Sequence, residues 1–129
     1  MRRFWRCLGT GGGTAVEFAL IAPVLLMLVV GTIDVGRLLW TRNTIEEGVA
    51  AAGRYVMAHP TASASDVIAT AKSSMPGIDT TGVTVTAAQD TVGAVNYMAV
   101  TASCDFHFLL SLLPAGAVHL TSKARVPLL

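Results

Sequence analysis

Residues 11–37, GGGTAVEFALIAPVLLMLVVGTIDVGR, decide how the rest of this chain is read. They form an apolar run that ends in Asp34 and Arg37 and carries one carboxylate, Glu17, within it, set one helical turn inside its leading edge. A short basic, glycine-rich leader stands in front. The uncharged part, residues 18–33, falls short of the roughly 18–20 residues of a comfortable membrane span. Extending back to Ala15 reaches that length only by taking in Glu17. An acid is costly to dissolve in lipid, so an ionisable group inside a span is by default functional, with a partner to be named.

Composition agrees with one small, membrane-anchored domain. The chain has 129 residues, 53% of them hydrophobic and 13% charged, with a mean hydropathy of +0.61. That is too apolar for a typical soluble protein, and the excess lies mainly before Asp34. The remainder holds one modest core, not two. Arg2, Arg3 and Arg6 charge the leader with no acid beside them, whereas bases and acids balance one for one from Val35 onward. The basic leader favours an N-terminus in the cytoplasm, a vote weakened by Arg37 and Arg42 close behind the span. No basic patch or stripe points to nucleic acid. Cys7 and Cys104 would end on opposite sides of the membrane, so no intramolecular disulfide is expected. Cys104 falls on the apolar side of an alternating strand and is expected to be buried and inert.

An ordinary secretory signal has a basic start, an apolar core of roughly 7–15 residues and a small-x-small cleavage site behind it. Here the apolar core is longer and runs into IDVGR, and the small residues precede it. That order resembles a type IV prepilin leader, which a membrane-embedded peptidase cuts on the cytoplasmic side, leaving the helix attached. Matched to that motif, GGGTAVEF would be cut between Gly12 and Gly13, with Gly11 as an alternative one residue earlier. Glu17 would then lie four residues beyond the new terminus, followed by Phe18.

TAVEFALIAPVLLMLVVGTIDVGRLLW, with the small-residue stretch EEGVAAAGRYVMA behind it, resembles the TadE-like pseudopilin family of tight-adherence (Flp-type) pilus systems. The matching positions are residues 14–20, Pro23, residues 34–39 and residues 50–55. The match covers about the first sixty residues and is specific in combination. The resemblance implies a structural pilus-assembly component in the bacterial inner membrane, single-pass, with its C-terminal part periplasmic or extracellular. It implies as partners the prepilin peptidase, membrane lipid, and other pilin-like or Tad assembly proteins.

Packed helices give Glu17 a role. When two such helices stack with an axial offset, its carboxylate can neutralise a neighbouring subunit's freshly exposed ammonium, and desolvation strengthens the pair. The bland alternative is an acid that snorkels to the headgroups. Pro23 removes a backbone donor and would bend or loosen the helix, which neighbouring helices tolerate. Asp34 and Arg37, three apart, share a helix face and can pair at the outer interface as a solvated end-of-span pair.

The helix is expected to continue past the membrane. Leu38, Ile45, Val49, Ala52 and Val56 recur at helical spacing, and His59-Pro60 is a natural stop. Beyond a polar linker, Asp66 is a candidate N-cap for a short helix reaching about Ser74. Three alternating stretches follow, 82–87, 97–108 and 118–126, each with one apolar and one polar face. The fold class is therefore α+β. A long N-terminal helix, transmembrane in its first half and amphipathic in its second, packs on a small antiparallel sheet of about three strands with one short extra helix. The expected organisation is a leader at 1–12, the long helix at 13–60 and a small periplasmic domain at 61–129. Leu109, Leu110, Leu112 and Leu113 crowd the last connection, either plugging the core or forming a docking loop for a partner or the outer leaflet.

Catalytic and cofactor chemistry find no footing. His59, His107 and His119 lack metal-ligand spacing, though His107 and His119 could be neighbours on the polar face of the sheet. GTGGG at residues 9–13 lacks the G-K-[ST] of a phosphate loop, and no G-x-S-x-G occurs. No cofactor, metal or small-molecule substrate is expected. Besides the pseudopilin, the chain could be an uncleaved, signal-anchored periplasmic binding module or a minor pseudopilin of a type II secretion-like system. A secreted enzyme is remote.

Overall fold

Helical spacing sustained from the span to Pro60 produces one continuous helix. In the computed structural model, which describes residues 11–109 and 117–128, α1 runs over Gly11–Ala58 for 48 residues. At 1.5 Å per residue it is about 72 Å long. It passes through Pro23 without interruption. It ends where His59 turns its N–H back to the Tyr55 carbonyl, 2.9 Å away, and Pro60 follows with no donor to offer.

α2 spans Ala64–Ser73. Its N-cap is Ser63 rather than Asp66. The Ser63 hydroxyl oxygen accepts from the Asp66 N–H at 3.2 Å and donates to the Asp66 carboxylate at 2.6 Å. Asp66 thus sits in the first turn, where an acid suits the positive end of the helix. A single 3₁₀ turn, Thr80–Gly82, leads into the sheet.

The sheet is an antiparallel meander, β1 (Val83–Val92), β2 (Val95–Phe106) and β3 (Val118–Pro127), with β2 central. Val92 faces Val95 across a two-residue turn. Its first residue, Gly93, has φ +65°, while Ala94 stays out of the left-handed region. That combination fits a type II′ hairpin, whose twist matches the strands. The register places Val85 opposite Ala102 and Met98 opposite Val126, so their inward side chains form one layer.

That layer closes on α1 and α2. Ile45, Val49, Ala52 and Val56 of α1 meet Val67 and Ala71 of α2, Met75 beyond it, and Met98, Val100 and Ala102 of β2, all buried. Burial of each larger aliphatic side chain contributes roughly 1.5–3 kcal/mol. α2 comes so close to α1 because position 48 is glycine. A Cβ there would stand 2.5 Å from the Met75 Cγ and Cε and 2.9 Å from the Ala71 carbonyl oxygen.

The chain direction sets which end of this layer faces the span. α2 runs back along α1 until Gly77 lies beside Trp40, and β2 runs the same way until Phe106 lies beside Arg37. Among the described residues, the rim of the small domain nearest the span is therefore built from residues 77–79 and 107–109.

Candidate functional site

Along α1, none of residues 12–33 is buried among the described residues. Its most apolar 18-residue window contains no buried residue; Phe18 is 70% and Leu20 78% exposed. A helix that is hydrophobic all round belongs in a core or a membrane, and among the described residues this helix is long and apolar enough to cross one. Glu17 stands on the same exposed surface. Gly12 and Gly13 lie in the first turn with open space around them. Glycine is the weakest helix former after proline, by about 1 kcal/mol relative to alanine, so this turn is the easiest part of α1 to unwind. Pro23 is exposed within the span.

At the far end of the span the structure builds more than the sequence showed. The Arg37 Nη1 donates to the Asp34 Oδ1 at 3.1 Å. Asp34 is not solvated, however: it is 2% exposed. Its Oδ2 accepts the backbone N–H of Leu109 at 3.0 Å, across 75 residues of sequence. The Arg37 guanidinium lies 5.3 Å from the centre of the Phe106 ring, a cation–π distance. A buried carboxylate is tolerated because a charged donor and a backbone N–H satisfy it together. Asp34 thereby ties the end of β2 to the helix. Leu109 itself is exposed; Leu110, Leu112 and Leu113 lie outside the described residues, as does Cys7 in the leader.

Trp40, which sequence reasoning did not single out, is 61% exposed one turn beyond Arg37. It borders a groove of about 560 Å³ between α1 and the segment following α2. An exposed tryptophan three residues after an arginine at the end of an apolar run is the signal that could have found it.

The sheet's polar face behaves differently from expectation. His119 pairs with Asp105, directly opposite on β2, with Nδ1 and Oδ1 2.6 Å apart; His107 lies beyond the end of β2. Among the described residues no three potential metal ligands come together. Cys104 is partly exposed rather than buried. Partial burial, with a smaller push from the Asp105 charge, raises its thiol above the ordinary value. Asp79 is held below the usual carboxylate range by hydrogen bonds from the Thr81 hydroxyl and then the Thr81 N–H.

Residues 12–54 match the family described as TadE-like protein. Over this segment the N-terminal helix is similar to that family. The match takes in the exposed span, the Asp34–Arg37 pair and the packing stripe as far as Arg54, and stops about one turn before the end of α1. It supports a Tad-pilus-related, pseudopilin-like component with a membrane anchor. The sheet lies wholly outside the TadE-like segment. No curated protein and no solved structure matches the chain.

Proposed function

We propose that this chain is a structural pseudopilin of tight-adherence (Flp-type) pilus biogenesis, cut by a prepilin peptidase between Gly12 and Gly13. The observation that carries the reading is the bare, apolar stretch of α1 ahead of Asp34, which lies within a TadE-like match. Such a surface requires lipid or other helices around it. The segment 1–12 is then a cytoplasmic leader, the span lies in the inner membrane and the sheet domain is periplasmic. Cleavage creates an ammonium at Gly13. Glu17, exposed and one turn along, neutralises the ammonium of an adjoining pilin-like helix, with Phe18 packing beside it. An acid near the membrane face costs less than the roughly 2.5–3.5 kcal/mol assigned to charges at a helix centre. Pairing offsets that cost only in an assembled neighbour, so the acid selects for association.

The test is the mass of the mature chain from cells with and without the prepilin peptidase. Loss of the first twelve residues only when the peptidase is present supports the reading. A chain still beginning at Met1 in both would leave a signal-anchored binding module, and a cut beyond the apolar run would make it a secreted domain.

A further inference from the structure

We propose that the groove beside Trp40 seats the headgroup of an aminophospholipid, a phosphate joined to a primary ammonium, from the leaflet at which α1 leaves the membrane. The inference rests on α1 spanning a bilayer.

Depth comes first. Residues 15–33 rise about 28 Å along a helix, close to the ~30 Å hydrocarbon thickness of a bilayer. Ile33 then sits at the hydrocarbon edge. Arg37 and Trp40 lie about 6–10 Å further along the axis, at headgroup depth. The groove is lined there by Ile33, Gly36, Arg37 and Trp40 of α1 and by Ile78 and Asp79 of the small domain. Ile33 opens it toward the acyl region, and an exposed indole at this level suits the interface.

Charge chooses the occupant. Arg37 supplies a fixed cation: Asp34 and the Phe106 ring hold it in place, yet its side chain stays 47% exposed. A guanidinium so ordered matches phosphate oxygens with little further entropy to lose. Asp79 supplies an anion from the other wall, oriented by two hydrogen bonds from Thr81 that keep it ionised. Arg37, with Asp34 on one nitrogen only, offers its remaining guanidinium N–H groups from one wall, and Asp79 offers a carboxylate from the other, an arrangement that complements a zwitterion. A glycerol headgroup offers Asp79 hydroxyl donors but no positive charge. A choline headgroup gives its carboxylate no N–H to accept, and one indole does not make the aromatic cage that quaternary ammonium prefers.

The experiment uses the full chain in mild detergent. Native mass spectrometry would follow retention of phosphatidylethanolamine, phosphatidylcholine and phosphatidylglycerol with identical acyl chains. The expected result is about three- to fivefold preference for the ethanolamine lipid, the worth of one exposed charge pair. Asp79→Asn, which still accepts from Thr81, should erase its advantage over the choline lipid. Gly36→Leu, whose Cβ meets nothing within 4 Å, should lower retention of all three while the far-UV spectrum is unchanged. Equal retention, preference for the glycerol lipid, or a preference that survives Asp79→Asn would overturn the inference. Alkaline carbonate extraction keeps the two readings apart. A chain released from membranes refutes the anchor itself, whereas an integral chain without headgroup preference refutes only the groove.

Discussion

Replacing Gly48 with alanine tests the packing of the small domain against α1. The same change has opposite consequences at two positions on this one helix. Alanine is the better helix former by about 1 kcal/mol, a gain available at any helical glycine with room for a methyl group. At Gly48 there is none. The new Cβ would stand 2.5 Å from two atoms of Met75 and 2.9 Å from the Ala71 carbonyl oxygen. The Met75 methyl can swing aside, but the carbonyl belongs to the last turn of α2 and moves only with that helix. Overpacking of this kind costs typically 1–3 kcal/mol, so after the helix gain Gly48→Ala should be destabilising by up to about 2 kcal/mol net. For a domain of this size that lowers the midpoint of thermal unfolding by up to about 10 °C. The assay is thermal loss of the strand signal in far-UV circular dichroism, on the full chain in detergent. Gly36→Ala is the control, since a Cβ there meets nothing within 4 Å, and it should leave the midpoint unchanged or raise it. Combining Gly48→Ala with Met75→Ala should cost less than the two changes summed, because the first clash disappears with the methionine side chain. A Gly48→Ala chain as stable as the Gly36→Ala chain would refute the close approach of α2 to α1.

Asp34→Ala takes the acceptor from the Leu109 N–H and removes the partner of Arg37, at a cost of about 1–3 kcal/mol for hydrogen bonds lost to a charged group. Hydrogen exchange at Leu109 should quicken far more than at Val100 in the centre of the sheet, and equal protection in both chains would rule out the tie. Glu17→Ala should still insert and still be cut, but should fail to co-purify with its pilin-like partners; normal piliation by this variant would refute the pairing role. The raised Cys104 thiol has a definite sign with pH. The folded state holds its proton to higher pH than the unfolded chain, so the contribution to stability is complete below the ordinary thiol value. It is lost as pH rises through the folded value. Alkylation of Cys104 by iodoacetamide should therefore lag behind that of an unfolded control at mildly alkaline pH, and matched rates would contradict the shift.

Much of this architecture is legible in one dimension. The stripe Ile45, Val49, Ala52 and Val56 is a helical period that survives folding because each member meets the same layer. The alternation Met98, Val100, Ala102 is a strand period for the same reason. Boundaries were less legible. β1 extends to Val92, through alanine, glutamine and aspartate residues that carry little strand propensity, because β2 pairs with them residue for residue. Asp66 looked like a cap, yet Ser63 starts the helix three residues earlier, since a serine and an acid at that spacing satisfy each other. Cys104 alternates with the buried residues but lies where the layer opens toward its rim, and so remains partly exposed.

What the amino-acid order alone determined is whatever depends on neighbours along the chain: an apolar helix with an acid near its start, a second amphipathic half, three alternating strands and the TadE-like pattern of residues 12–54. Tertiary structure decided what depends on residues far apart meeting. Asp34 and Leu109 are separated by 75 positions, so no local pattern could tell that the acid at the end of the span is buried rather than solvated. Gly48 reads as one small residue among several until Ala71 and Met75 arrive against it. Arg37 and Asp79 become opposite walls of one groove only because α2 brings the chain back along α1 to the place where the helix leaves the apolar run. Periodicity encodes which face of an element is buried; it carries no information about which distant residue does the burying.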